Sequence, residues 1–270
     1  VVGLINIPTA RFYNEAVHGI TFYDGNPDQK ITLSSNPFDW LEASFFYTNI
    51  QDRSYCEVEW DPVCQQSYKD KGFNLKLRII EEDKLPAVAV GFYDIAGTGL
   101  YSSEYVVASY GIENFDFHAG LAWGNLNDRE NSFKNPFSYF SDNFLNRPSQ
   151  FADKGGQFQP SRYFSDETAS LFYGFTYALN KKTLFKFERD TTDTPGLVGY
   201  KKSSSKFSFG IDRTINDNFN MGLSFEKGNY MSLKFIYKNN PKKSKKNYEY
   251  KKADVNENED KYTKLIKNLE

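Results

Sequence analysis

The chain has 270 residues, with 33 Lys and Arg against 35 Asp and Glu, for a formal charge of −2. That balance excludes a nucleic-acid binder, which needs a basic face to displace counterions from phosphates. No run of eighteen apolar residues occurs, which excludes a transmembrane helix, yet aromatics reach 17% in a chain only 39% hydrophobic. Large rings spread through a polar background fit alternating strands, including strands that show their rings to lipid.

Val1 is neither an initiator Met nor the start of a basic-then-apolar leader, so a mature or trimmed product is expected. An apolar piece, Gly3-Leu4-Ile5-Asn6-Ile7-Pro8, opens the chain, and period-two alternation then runs from Val17 to Tyr237. Clear strands fall at 40–48, 73–80, 115–123, 171–179, 183–190, 206–212, 219–226 and 230–237. Weaker alternation marks four more, at 17–23, 30–35, 87–95 and 103–110, making about twelve. Short connections (36–39, 82–86, 111–114, 180–182, 215–218) alternate with long ones (51–71, 96–102, 124–168, 191–205); only 24–29 and 227–229 are short in the second set. An up-and-down sheet with its long loops at one end has this asymmetry, as outer-membrane barrels do. A soluble β-sandwich is the competing architecture, but its Greek-key crossings do not keep a strict short–long order.

One face of these strands is apolar and aromatic: Phe117, Leu121, Phe175, Phe209 and Leu223 are expected to meet lipid. Trp40, Tyr47, Trp123, Tyr177 and Tyr237, near strand ends, would form interfacial girdles. The other face carries Lys76, Arg78, Asp116, His118, Lys186, Glu188, Asp212, Glu226 and Lys234, expected to line a water-filled lumen without binding anything tightly. Glu188→Gln should then change stability little. Gly120, Gly174, Gly210 and Gly222 on that face suit a narrow, wet interior.

The connection 124–168 holds many rings, among them Phe137, Tyr139, Phe140, Phe144 and Tyr163. They could stack on sugars, constrict a pore, or pack into a satellite core of their own, and sequence leaves all three open. Cys56 and Cys64, the only cysteines, are expected to form a disulfide in an oxidising compartment. Residues 238–270 carry ten Lys against six acids, and Tyr262, Leu265, Ile266 and Leu269 recur at helical spacing behind the capping pair Asn256 and Glu259. A basic linker and the start of a helical periplasmic region are expected at 239–270. Catalytic chemistry has little to work with: two histidines, no nucleophile elbow, no phosphate loop. Asp116, Glu188, Asp212 and Glu226 could supply a glycosidase pair, but read better as solvated charges. No metal or cofactor is expected.

Several segments resemble the YjbH family of outer-membrane proteins associated with exopolysaccharide and capsule production. They are residues 3–10, Pro37-Phe38-Asp39-Trp40-Leu41-Glu42, Asp70-Lys71-Gly72-Phe73-Asn74, residues 96–109, Asn135-Pro136-Phe137 and the helix at 262–270. The resemblance covers the amino-terminal part of longer family members and supplies no catalytic residues. It implies a role in export or assembly at the bacterial outer membrane, with outer-membrane lipid, a polysaccharide and periplasmic export or modification proteins as partners. The expected fold is an all-β, antiparallel up-and-down transmembrane barrel of about twelve strands over 17–238, or an equivalent segment of a larger barrel. A porin-like channel and a secreted carbohydrate-binding or hydrolysing β-domain are the alternatives.

Overall fold

A computed structural model describes residues 2–26, 28–56, 66–149, 158–193 and 203–242. Its strands are β1 (His18–Asp24), β2 (Asp28–Phe38), β3 (Leu41–Ser54), β4 (Ser67–Ile80), β5 (Ala87–Tyr93), β6 (Ser103–Ile112) and β7 (Phe115–Gly124). After a three-residue strand, β8 (Ser132–Lys134), come β9 (Thr168–Asn180), β10 (Thr183–Arg189), β11 (Phe207–Thr214), β12 (Phe219–Glu226) and β13 (Tyr230–Asn239). Each barrel strand pairs antiparallel with its neighbours, and β13 returns to β1 with Ile20 opposite Tyr237. β9 joins β7 on one side and β10 on the other. The twelve-stranded barrel therefore closes within this chain. A sandwich and an open segment of a larger barrel both give way to closure, which removes the unpaired edges that either would carry.

Antiparallel closure sorts the connections into two ends. The long connections, with the tight turns β1–β2 and β12–β13, lie at one end, called here the loop end. The remaining turns, the entry to β1 and the exit from β13 lie at the other, the turn end. Along β7, Phe115, Phe117 and Ala119 are exposed while Asp116, His118 and Gly120 are buried, the period-two pattern of a sheet with two different faces.

The outer face is the apolar one. Phe22, Leu33, Phe73, Phe117, Phe209 and Leu223 are each 44–50% exposed around the barrel. A water-soluble surface rarely keeps so large a continuous apolar area, whereas hydrocarbon requires it. Rings also pair across strands: Phe175 lies 6.2 Å from Phe117 and 5.4 Å from Phe187, and Phe187 5.5 Å from Phe207. The barrel thus spans a membrane, with Trp40 stacked on Phe38 and exposed, and Tyr47 and Tyr237 exposed on the same face. Trp123 departs from the expected girdle. It is 1% exposed, because the connection after β7 folds over it.

The inner face is not uniformly polar. Ala87, Ala89, Tyr105, Val107, Ala122 and Phe172, from β5, β6, β7 and β9, pack inside the barrel against Leu4, Ile7, Ala10 and Phe12. The N-terminal segment is inside the lumen. That packing explains the weak alternation of β5 and β6: strands buried on both faces read as nearly continuous apolar runs. It also corrects the expectation of a wet interior at two glycines. A side chain at Gly120 would strike Phe172, and one at Gly174 would strike Leu4. Those glycines make room for apolar groups rather than for water.

Candidate functional site

The segment before β1 forms a hairpin that rises from the turn end. Leu4 N donates to Ile7 O at 3.0 Å, and Gly3 bridges Pro8, so residues 4–7 make the tip. Four apolar side chains face the β5–β6 wall, and the backbone of the tip meets charged groups on the opposite wall. Glu188 of β10 accepts from Ile5 N at 2.8 Å and Asn6 N at 2.9 Å, so a carboxylate neutralises the free N–H groups of the turn. Asn6 Nδ2 donates to Asp190 at 2.8 Å and to Glu226 at 2.7 Å. Lys186 Nζ donates to Leu4 O at 3.2 Å, and Lys234 Nζ donates to Ile5 O at 3.1 Å.

The hairpin's arms are held lower down. Val2 N donates to Glu42 at 2.7 Å, and Glu42 pairs with Lys76 at 2.9 Å; both side chains are fully buried. Lys76 Nζ also donates to Val2 O at 3.0 Å and to Arg11 O at 2.6 Å, joining the two arms. Ala10 N donates to Ser109. The Arg11 guanidinium makes a two-pronged contact with Asp116, Nε to Oδ2 at 2.9 Å and Nη2 to Oδ1 at 2.5 Å, and also pairs with Glu82. Phe12 lies under two cations, 4.4 Å from Lys76 Nζ and 4.7 Å from the Arg78 guanidinium. Such buried charges are tolerable only because each has an opposite charge and further hydrogen bonds.

All nine charged residues picked from sequence belong to this interior, but most hold the hairpin or one another rather than lining open water. Lys76, Asp116, Lys186, Glu188, Glu226 and Lys234 contact the hairpin directly, and Arg78 faces Phe12. Asp212 pairs with Lys186 at 2.5 Å. His118 exchanges a hydrogen bond with Ser109 at 2.8 Å and lies 3.6 Å from Asp116. Glu188 is 0% exposed and accepts from two backbone N–H groups, so it is not the solvated lumen charge expected, and Glu188→Gln is now expected to cost stability. Sequence reading missed Glu42, Glu82, Ser109 and the hairpin itself. The usable signal was the apolar inner face of β5 and β6, which needed a partner.

The hairpin does not fill the barrel. A cavity of about 860 Å³ lies beside it, bordered by Asp28, Tyr101 and Asp193 at the loop end and by Lys181, Asp217 and Lys238 at the turn end. Thr21, Thr32 and Ser34 of β1 and β2 form part of its wall, opposite the dry wall of β5 and β6. The lumen is divided lengthwise into a packed side and a passage.

The long connection after β7 settles on the loop end as a satellite core. Phe137 packs 5.4 Å from Trp123, 5.4 Å from Phe144 and 5.3 Å from Phe164, and Tyr163 packs 5.1 Å from Phe92. Asn135 organises it, accepting from Trp123 Nε1 at 2.9 Å and donating to the carbonyls of Phe144, Phe164 and Asp166. Arg147 clamps the connection to the barrel through both oxygens of Glu104. Tyr139 and Phe140 point outward, 89% and 83% exposed. Among the described residues, none of the five rings picked from sequence borders the passage. Cys64, the 150–157 part of this connection, and residues 243–270 with the expected helix lie outside the described residues, so the Cys56–Cys64 pairing remains an expectation.

Fold and site together define a class: a transmembrane β-barrel that carries its own N-terminal hairpin in the lumen. The chain belongs to the YjbH family, whose model, described as an exopolysaccharide biosynthesis protein, matches residues 1–268. It is 38% identical over 231 residues to the uncharacterized lipoprotein YjbH of Escherichia coli strain K12, a match covering 84% of this chain and 32% of that protein. The chain thus spans about a third of that relative's length. Among solved structures, it is similar to the NanC porin, with 10% identity, a TM-score of 0.38, and coverage of 82% of this chain and 97% of the porin. An outer-membrane channel from Pseudomonas putida F1 matches with 8% identity and a TM-score of 0.41, covering 87% of this chain and all of the channel.

Proposed function

We propose that this chain is an outer-membrane component of exopolysaccharide export or assembly, working by passage and positioning without catalysing a reaction. The observation that carries the reading is the cavity beside the hairpin, lined by residues from both ends of a barrel from an exopolysaccharide biosynthesis family. The loop end faces the cell exterior and the turn end the periplasm, the arrangement in which long loops meet the surroundings. Periplasmic export or modification proteins would meet the turn end. The exposed rings of Tyr139 and Phe140 would stack on sugar as it emerges. A non-catalytic role is supported by the state of the carboxylates. Asp116, Glu188, Asp212 and Glu226 each already hold a partner inside the chain, which leaves no free acid–base pair among them.

The test is a barrel blocked in place. Thr32→Trp fills the passage from the β2 wall. The variant should keep the heat-dependent gel shift of a folded barrel, yet cells carrying it as their only copy should lose surface exopolysaccharide. Normal surface polysaccharide with a folded, blocked barrel would contradict the reading.

A further inference from the structure

The passage is electrically lopsided. At the turn end, Lys181, Lys182, Arg213 and Lys238 border it, against the carboxylate of Asp217. Midway, Lys186 and Lys234 point inward, and Lys186 pairs with Asp212 at 2.5 Å. Lys234 donates to the Ile5 carbonyl, and the carboxylates of Asp212, Glu226 and Glu188 are near enough to act on its charge, so the excess of cations lies at the turn end. At the loop end the balance reverses. Asp28, Asp193 and Glu226 border the cavity there, with Lys30 and Lys227. Lys227 is engaged with Thr192 and lies 3.6 Å from Asp190. Low-dielectric walls focus such fields along a narrow passage, concentrating ions of opposite sign at its mouth.

The wall chemistry along the cavity suits a sugar. Tyr13, Tyr23, Tyr93 and Tyr101 border the cavity together with Asn74 and Asn220. Flat rings beside amide groups offer both apolar faces and paired donors and acceptors, the mixture that hydroxyl-rich ligands need. A lysine ammonium is a point-charge partner for a carboxylate carried on such a ligand.

We propose that the passage takes an anionic saccharide chain, its sugars bearing carboxylates, drawn in at the basic turn end. This rests on the export reading above and names the class of polymer. The loop end, bordered by acids, would disfavour re-entry from outside.

The experiment is binding of two linear probes to the full chain in detergent by calorimetry: an oligogalacturonate and a malto-oligosaccharide of equal length. The oligogalacturonate should bind about tenfold more tightly at low salt, an advantage that shrinks as salt rises. Lys181→Glu with Lys182→Glu, both exposed in the β9–β10 turn, should abolish that advantage while keeping the heat-dependent gel shift. Lys238→Gln, altered on a different strand, should reduce it. Equal binding of the two probes would overturn the anionic preference and leave the export reading standing. An advantage that survives the lysine substitutions would place the anion elsewhere, for instance on the lysine-rich 242–252 segment, and overturn this site. Binding of neither probe would remove the saccharide reading itself.

Discussion

The two walls of the lumen are built from the same kind of strand and do opposite things. On β5 and β6 the inner residues are Ala87, Ala89, Tyr105 and Val107, fused to the hairpin as a dry core. On β1 and β2 the inner residues are Thr21, Tyr23, Lys30, Thr32 and Ser34, all bordering the passage. A soluble domain has one core, and a simple porin has a wet lumen throughout. This barrel keeps both, separated by residues 2–12 of its own N-terminal segment. The lesson is that a polar strand face does not by itself announce water; it can equally be the polar half of an internal ligand site.

The largest effect should come from thinning the dry wall. Leu4→Ala or Ile7→Ala removes a fully buried side chain and should cost about 2–5 kcal/mol each, read by urea unfolding in detergent. Thr32→Ala or Ser34→Ala on the wet wall should change stability by less than about 0.5 kcal/mol. Equal losses on both walls would erase the distinction.

Outside the barrel, Leu121→Arg or Phe209→Arg should cost about 2–4 kcal/mol in lipid, the penalty for a cation near the bilayer midplane. Its neighbour Ala122 faces the dry core, so Ala122→Leu should also destabilise, by about 1–3 kcal/mol through overpacking. The two substitutions differ in their response to solvent: only the outward one should be relieved by moving from lipid to detergent. Glu188→Gln tests the polar clasp on the tip. It weakens charged acceptors for two backbone N–H groups, and a loss of about 1.5–3 kcal/mol is expected, together with faster proteolysis of the hairpin.

The smallest effect concerns the loop end. Burial and the nearby Asp70 carboxylate push the Asp94 carboxyl up to about 7. Its folded value lies above the ordinary carboxylate range, so ionisation disfavours the folded connection between β5 and β6. That stability is complete below about pH 4 and is lost as pH rises through 7. Hydrogen exchange at residues 94–102 should accelerate from pH 5.5 to pH 8 beyond its intrinsic rise, and Asp94→Asn should flatten the difference. An unchanged profile in the Asp94→Asn protein would assign the pH response to another group.

Much of this barrel was legible in the residues. Alternation located all twelve barrel strands, and the short–long order of connections gave the two ends, because both follow from local geometry and chain parity. The nine inward charges were legible for the same reason. Their partners were not: Glu188 meets Ile5 and Asn6 across more than 180 residues, a pairing that no periodicity encodes. Trp123 was misplaced because period two assigns it to the outer face, while the connection after β7 buries it. The passage depends on how much of the lumen the hairpin leaves empty, a question of volume that no single strand carries.

Cysteine accessibility addresses the divided lumen most directly. In a Cys56→Ser, Cys64→Ser background, Thr32→Cys and Val107→Cys place thiols on the inner faces of β2 and β6, one beside the passage and one beneath the hairpin. A small charged methanethiosulfonate added to the folded barrel in lipid should modify the Thr32→Cys protein readily and leave the Val107→Cys protein unreacted. Equal modification of both thiols would mean an open lumen without a seated hairpin, and would contradict the division of the barrel into a packed wall and a passage.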